Sequence, residues 1–222
     1  MDATYNKLIA NAVKSFWLTK KKQGNVLAGK QLDAFLELLK RVAMDAGVPS
    51  DCIYLKNNHV QGYYRASKDW DLLIVSPKKN LIAAIELKSQ VGSYGNNLNN
   101  RTEESLGSSE DFWTAFRENA FSCNQSPWLG YMMVVGKDEE STHVVKVNEP
   151  HFFVRKEFKE ASYLDRYRIL CQRLVLEHKY SAVSLIATTV KGSYENLADN
   201  ISIDTFIDSF RGHLLGNESE FK

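Results

Sequence analysis

Two short apolar runs joined by a compact turn constrain the fold of this chain more than any other stretch. The runs are Leu72–Val75 and residues 81–85, and the turn between them contains Pro77, which fixes its own φ, and Asn80, which suits a tight bend. Two such runs separated by a few turn residues predict an antiparallel β-hairpin. Because both runs are almost wholly apolar, we expect these strands to be buried on both faces.

Charged residues stand where these buried strands begin and end. Asp71 directly precedes the first run, and Glu86-Leu87-Lys88 directly follows the second. Side chains alternate along a strand, so Glu86 and Lys88 point to one face and Leu87 to the other. The start of the first strand lies beside the end of the second in a hairpin. The sequence therefore predicts that Asp71, Glu86 and Lys88 converge.

Converging charges of this kind have two interpretations. The carboxylates of Asp71 and Glu86, with the carbonyl of Leu87, form a hard oxygen site that suits Mg²⁺. Lys88 beside such a site can orient a water or stabilise charge on a phosphate. The alternative is an amphipathic hairpin with an ordinary surface pair of Glu86 and Lys88. The apolar strands on both sides favour the metal site, since buried charges must be paired or bound to a metal.

An acidic residue followed on the next strand by Glu-x-Lys resembles the active-site motif of the PD-(D/E)xK nucleases. Asp71 matches the first acid and Glu86-Leu87-Lys88 the second part, with Trp70 where the family usually has proline. The resemblance implies catalytic roles for Asp71, Glu86 and Lys88. It also implies Mg²⁺ as the cofactor, bound by Asp71, Glu86 and the carbonyl of Leu87.

A wider segment resembles the type II restriction endonucleases of the XhoI group, from about residue 16 to about residue 189. The residues that carry this resemblance are 61–65, 68–71, 86–90, the Asn/Arg tract to Arg101, and 111–117. It implies cleavage of double-stranded DNA at the palindrome CTCGAG, after the first C, leaving 5′-phosphates. A palindrome is matched most simply by a C₂ homodimer. The alternatives are a repair or structure-specific nuclease of the same superfamily and a catalytically silent DNA-binding protein of the same fold.

Residues 92–109 look like the least regular part of the chain, because Gly, Ser and Asn are crowded there. They form either a flexible surface loop without function or a loop that contacts DNA at the mouth of the site. The second interpretation is favoured because Asn pairs with adenine edges and Arg with guanine edges. The candidate DNA-binding residues of this tract are Asn96, Asn97, Asn99 and Arg101. Arg65 and Gln90 are further candidates for phosphate contacts, and the alternative role for Gln90 is to order the site.

The remaining elements predict an α/β fold. Helical periodicity covers residues 5–18, 32–46, 163–178 and 203–215, and another helix is expected to begin at Ser109; apolar strands are expected at 129–135 and 182–190. This order fits a single restriction-endonuclease-like domain over residues 1–222, with a mixed sheet of about four to five strands flanked by helices. Glu37, on the second helix, is a possible additional metal-binding acid, although an exposed helix glutamate is the favoured interpretation.

Composition narrows the class of protein further. The net charge of +1 argues against a non-specific nucleic-acid binder, which would be strongly basic. Three widely spaced cysteines lack zinc-site spacing and indicate reduced thiols. Neither an apolar run long enough to span a membrane nor a signal core is present in the sequence. We therefore expect a cytoplasmic protein with no membrane partner.

Overall fold

The computed structural model describes residues 3–23, 30–123 and 125–222. Its helices are α1 Ala3–Gln23, α2 Asp33–Asp45, α3 Tyr94–Arg117, α4 Glu139–Thr142, α5 Tyr163–Leu176 and α6 Ile203–Gly216. Its strands are β1 Ile53–Tyr54, β2 His59–Gln61, β3 Ser67–Asp69, β4 Leu72–Val75, β5 Leu81–Gln90, β6 Trp128–Gly136, β7 Ala182–Thr188 and β8 Tyr194–Asn196. None of the described helices combines the length and apolar character needed to cross a lipid bilayer.

The central sheet is mixed and has six strands in the order β1-β4-β5-β6-β7-β8. Strands β5, β6 and β7 run parallel, whereas β4 pairs antiparallel with β5 as the predicted hairpin. The sheet is wider than the expected four to five strands because β1 and β8 extend its two edges. These edge strands have two and three residues, too few to give a period in the sequence.

Helices cover both faces of the sheet. Helices α1, α2 and α6 pack on one face, where the core includes Ile85 and Leu87 of β5. Helices α3 and α5 pack on the other, with Ala84 of β5 and Tyr131 of β6. All nine residues of β6 are buried, as expected for a parallel strand covered on both sides. The α/β class with a mixed, helix-flanked sheet is therefore confirmed.

Helix α3 corrects the prediction for residues 92–109. The chain enters this helix at Tyr94, directly after Gly92 and Ser93, which have φ of +71° and +47°. Ser109 therefore does not begin a helix; it is fully buried within α3, and its hydroxyl donates to the Leu106 carbonyl at 3.0 Å.

Tertiary packing explains why the polar composition of this tract was misleading. Tyr94 and Phe112 of α3 are buried, and so is Ser105 between them. The Tyr94 hydroxyl donates to the Asp138 carboxylate at 2.7 Å, which anchors the start of the helix. Gly95 lets the start of α3 lie directly against Tyr163 of α5, and this packing outweighs the low helix propensity of Asn and Gly.

Candidate active site

The register of the β4–β5 hairpin places the two predicted acids side by side. Leu72 lies opposite Ile85 in the antiparallel ladder, and Asp71 directly precedes Leu72, so its carboxyl lies close enough to Glu86 for the two charges to interact. The structure thus brings together the residues that the hairpin pattern predicted would meet.

Backbone hydrogen bonds fix Asp71 at the end of the ladder. Its amide donates to the Ile85 carbonyl at 3.0 Å, and its Oδ2 accepts from the Leu87 amide at 2.6 Å. The N–H and C=O of one strand residue point to the same side of the strand. The Leu87 carbonyl is therefore directed to the side on which Asp71 lies, as required of a third oxygen ligand.

Glu86 is buried, and each of its two carboxylate oxygens forms an ion pair with a lysine ammonium group. Lys88 Nζ lies 2.5 Å from Oε1 and Lys68 Nζ lies 2.6 Å from Oε2, while the Glu86 side chain is only 7% exposed. The pair of Glu86 and Lys88 on one strand face was predicted. Lys68 was missed, although it belongs to the 68–71 segment that carried the family resemblance.

The electrostatics of the site oppose ionisation of Asp71. Burial raises the pKa of this carboxyl above its ordinary value, and the neighbouring Glu86 carboxylate raises it further. The Leu87 amide and the ammonium groups of Lys88 and Lys68 lower the same pKa and offset part of that rise. The ionised form of Asp71 therefore depends on nearby positive charge.

The donor set fits a hard divalent cation with an incomplete protein shell. The described residues contain no cluster of three or more His, Cys, Asp or Glu side chains able to hold a metal. Asp71 and Glu86 thus supply two carboxylates, and the Leu87 carbonyl is the third candidate ligand. Mg²⁺ suits such a site because it usually keeps several waters and takes only one or two carboxylates.

Two other predicted residues occupy different positions. Glu37 is exposed on α2, which packs on the opposite face of the sheet from Glu86, so the structure does not bring it to the acids. Gln90 is buried at the end of β5, and its Nε2 donates to the Gly92 carbonyl at 2.6 Å. Gln90 therefore holds the turn that leads into α3.

The polar tract predicted to contact DNA lies on the first two turns of α3 rather than on a loop. Asn96 and Asn99 are exposed, and the Asn97 amide donates to the Ser93 carbonyl at 3.0 Å. Arg101 is half-buried and pairs with Glu104 at 2.6 Å. The start of α3 thus exposes the side chains of Asn96 and Asn99 to solvent, whereas Arg101 is partly buried.

Arg65 lies at the tip of a separate hairpin formed by β2 and β3. Buried Asp111 of α3 accepts hydrogen bonds from the amides of Tyr63 and Tyr64, at 2.9 and 2.8 Å, and from Arg65 Nε at 2.8 Å. The same hairpin carries Lys68 to Glu86. Asp111 therefore anchors the exposed hairpin tip, with its two tyrosines and one arginine, beside the site. Its sequence position, 46 residues from Arg65, gave no hint of this contact.

The mixed sheet between helices, with two acids and a lysine meeting at the end of its antiparallel pair, defines a restriction-endonuclease-like nuclease. The chain also matches the family described as Restriction endonuclease XhoI over residues 14–198. It therefore belongs to the XhoI restriction endonuclease family, whose curated members are type II restriction enzymes, that is, site-specific deoxyribonucleases.

Individual relatives support the same assignment. The chain is 44% identical to the type II restriction enzyme BstVI of Geobacillus stearothermophilus, over 86% of this chain and 90% of that enzyme. It is 38% identical to the type II restriction enzyme XhoI of Xanthomonas vasicola, over 79% and 77% of the two chains. It is 36% identical to the type II restriction enzyme AbrI of Azospirillum brasilense, over 68% and 75%. No solved structure matches the chain.

Proposed function

We propose that this restriction endonuclease is Mg²⁺-dependent and cleaves both strands of the palindrome CTCGAG after the first C. The observation that carries the proposal is the convergence of Asp71, Glu86 and Lys88 at the end of β4 and β5. Similarity to BstVI and XhoI supports the family-level part of the proposal, and the resemblance to the XhoI group supplies the recognition sequence.

The residues divide the chemistry between them. Asp71, Glu86 and the Leu87 carbonyl would hold Mg²⁺, which when bound polarises the scissile phosphate and lowers the pKa of a bound water. Lys88 positions the attacking water and stabilises the charge that develops on the phosphate. Attack forms a P–O bond to the water oxygen and breaks the P–O3′ bond. The products are a 5′-phosphate and a 3′-hydroxyl.

Contacts to DNA come from the two elements that flank the site. Arg65 is 45% exposed at the β2–β3 tip, and Asn96 and Asn99 are exposed at the start of α3. We assign Arg65 to the phosphate backbone and the asparagines to base edges. Two residues whose side chains bond backbone carbonyls have a supporting role. Asn97 and Gln90, which bond the Ser93 and Gly92 carbonyls, fix how α3 is presented, and the half-buried Arg101 adds positive charge behind it.

A palindromic target implies a symmetric enzyme. We propose a C₂ homodimer in which each protomer places one active site on one strand of double-stranded DNA. We also infer a cytoplasmic location, where restriction enzymes meet incoming DNA. The three free cysteines, Cys52, Cys123 and Cys171, agree with a reducing compartment.

Digestion of phage-length duplex DNA tests the proposal, with Mg²⁺ in one sample and EDTA in the other. Discrete fragments that need Mg²⁺ and map to CTCGAG are expected, and Glu86→Gln protein serves as the inactive control. Discrete fragments at another site would overturn the recognition sequence alone. A smear would indicate a repair or structure-specific nuclease, and intact DNA in every sample would indicate a silent DNA-binding protein.

A further inference from the structure

Lys68 is held at the active site by three contacts, although it belongs to a different sheet. Its Nζ lies 2.6 Å from Glu86 Oε2, donates to the Asp69 carbonyl at 2.9 Å, and lies 4.4 Å from the centroid of the Trp70 ring. The Lys68 side chain is only 13% exposed. Lys68 is therefore part of the site, unlike a solvated surface lysine, whose ion pairs contribute little.

The side chains at the site include as many acidic as basic groups. Two carboxylates, Asp71 and Glu86, face two ammonium groups, Lys68 and Lys88, and both oxygens of Glu86 are engaged. A divalent cation at Asp71 and Glu86 needs at least one of those oxygens and adds two positive charges. Each carboxylate oxygen has a second lone pair, so the cation can bind there, but at contact distance it repels the ammonium already on that oxygen. Binding of the cation therefore favours release of one lysine from Glu86.

Lys68 is the better placed of the two lysines to leave. Lys88 lies on the same face of β5 as Glu86, two residues away, so the strand itself holds them together. Lys68 reaches across from β3, which belongs to the separate β2–β3 sheet. After release, its ammonium still donates to the Asp69 carbonyl and lies over the Trp70 ring, so the charge remains stabilised.

The hairpin that carries Lys68 is itself anchored. Asp111, only 3% exposed, accepts three hydrogen bonds from residues 63–65 at the hairpin tip. Trp70, which follows β3, donates its amide to the Asn58 carbonyl at 3.0 Å and packs edge-on against Phe112. Release of Glu86 therefore needs only a rotation of the Lys68 side chain and leaves the backbone in place.

We propose that Lys68 is a positioning residue that occupies Glu86 in the metal-free enzyme and gives it up when the divalent cation binds. By holding Glu86 Oε2, Lys68 keeps this buried carboxylate aligned, and by competing for that oxygen it weakens the binding of the cation. This inference rests on the proposed function, because it requires Asp71 and Glu86 to be the metal ligands.

Terbium luminescence on DNA-free protein tests the inference without measuring cleavage. Tb³⁺ prefers oxygen ligands and is sensitised by a nearby indole, which Trp70 supplies beside the site. Titrations compare wild type, Lys68→Met, Lys68→Arg and the control Lys56→Met, whose lysine is exposed on the turn before β2. We expect Lys68→Met to bind Tb³⁺ at least about tenfold more tightly, since one competing positive charge is gone. Lys68→Arg and Lys56→Met should bind as wild type does, and added Mg²⁺ should displace Tb³⁺ in every case.

The outcomes separate this inference from the proposed function. Equal Tb³⁺ affinity of wild type and Lys68→Met would overturn the role of Lys68, and so would a lower melting temperature with unchanged affinity, which indicates a purely structural pair. Tb³⁺ binding by Asp71→Asn equal to that of wild type would instead overturn the metal site itself. If Lys68→Met does not fold, Lys68→Gln gives the same comparison with a polar side chain of similar reach.

Discussion

The Asp71 carboxylate accepts a hydrogen bond from the Leu87 amide at 2.6 Å, so the first acid is tied to the strand that carries the second acid and the lysine. Glu86 precedes Leu87 and Lys88 follows it, which makes the three side chains parts of one hairpin end. The backbone sets their relative positions before any metal or DNA binds. Preorganisation of this kind lowers the cost of assembling a charged site.

Replacing Asp71 by asparagine should separate activity from stability. Asn keeps an oxygen for the Leu87 amide but removes the charge, so we expect cleavage to fall by at least about 1,000-fold. A carboxyl whose pKa is raised by folding contributes stability that is fully present below its unfolded pKa and is lost as the pH rises through the folded pKa. Once ionised, Asp71 therefore costs stability. Metal-free Asp71→Asn should melt at the same temperature as wild type or about 2–4 °C higher.

Plasmid cleavage and thermal melting, with Asp69→Asn as the matched control, check both parts of this prediction. Asp69 is exposed two residues before Asp71, so its substitution should leave both measurements unchanged. Rapid cleavage by Asp71→Asn would remove this residue from the metal site. A marked fall in its melting temperature would show that the charge stabilises the fold.

The hairpin end was predictable from the sequence because its determinants are local. Apolar runs, a proline-containing turn and charges at matching ends fix the β4–β5 register, and the register fixes where Asp71 and Glu86 meet. Helix α3 was not predictable in the same way. Its first half has the composition of a loop, and only contacts such as that between Tyr94 and Asp138 stabilise it as a helix.

Lys68 and Asp111 escaped prediction for a related physical reason. Their partners, Glu86 and residues 63–65, are 18 and 46 to 48 positions away in the chain, and neither lies at a spacing typical of a helix or a hairpin. Contacts between separate sheets and helices depend on how the layers pack. The sequence signal that remained was the inclusion of both residues in the segments that resemble the XhoI group.

Lys88→Ala should uncouple binding from cleavage. The Lys88 side chain is 28% exposed and pairs with Glu86 from the same strand, so the fold does not depend on it. We expect the variant to bind CTCGAG duplex in Ca²⁺ within about threefold of wild type but to cleave at least about 1,000-fold more slowly in Mg²⁺. Gel-shift and single-turnover assays measure the two quantities, with Lys56→Ala as control. Cutting at the wild-type rate would exclude Lys88 from the chemistry.

Asp111→Ala should destabilise the protein by about 2–4 kcal/mol, because it leaves two backbone amides and an arginine without their buried acceptor. Urea unfolding monitored by tryptophan fluorescence measures this change. Glu103→Ala, at an exposed position on the same helix, is the control and should be neutral. Arg65→Ala should cost much less, since Arg65 is 45% exposed. A loss below about 0.5 kcal/mol for Asp111→Ala would mean that solvent readily replaces the clamp.

His213 should make stability depend on pH in the weakly acidic range. It lies on α6 with Nε2 3.1 Å from the Ile82 carbonyl of β5, and burial lowers its pKa below the ordinary value. A histidine whose pKa is lowered by folding contributes stability above its unfolded pKa, near about 6.5, and loses it as the pH falls through the folded pKa. The stabilising contribution is therefore complete at pH 8 and declines below about pH 6.5.

Melting curves between about pH 5 and 8 measure this dependence. The glutamine of His213→Gln stays neutral throughout this range. The difference in melting temperature between wild type and variant should therefore shrink by about 2–4 °C towards acid pH. For the control His59→Gln, at an exposed position on β2, the melting temperature should change with pH as it does for wild type. Parallel curves for His213→Gln and wild type would contradict the predicted linkage.

A symmetric dimer should be visible both in mass and in the pattern of strand cleavage. Sedimentation of the free protein should give about twice the chain mass of 25.3 kDa. Mixed dimers of wild type and Lys88→Ala should nick a CTCGAG plasmid on one strand, because each protomer serves one strand with its own Asp71, Glu86 and Lys88. Homodimers of wild type should linearise the same plasmid. A monomer that makes full double-strand breaks, or mixed dimers that linearise as fast as wild type, would contradict one active site per strand.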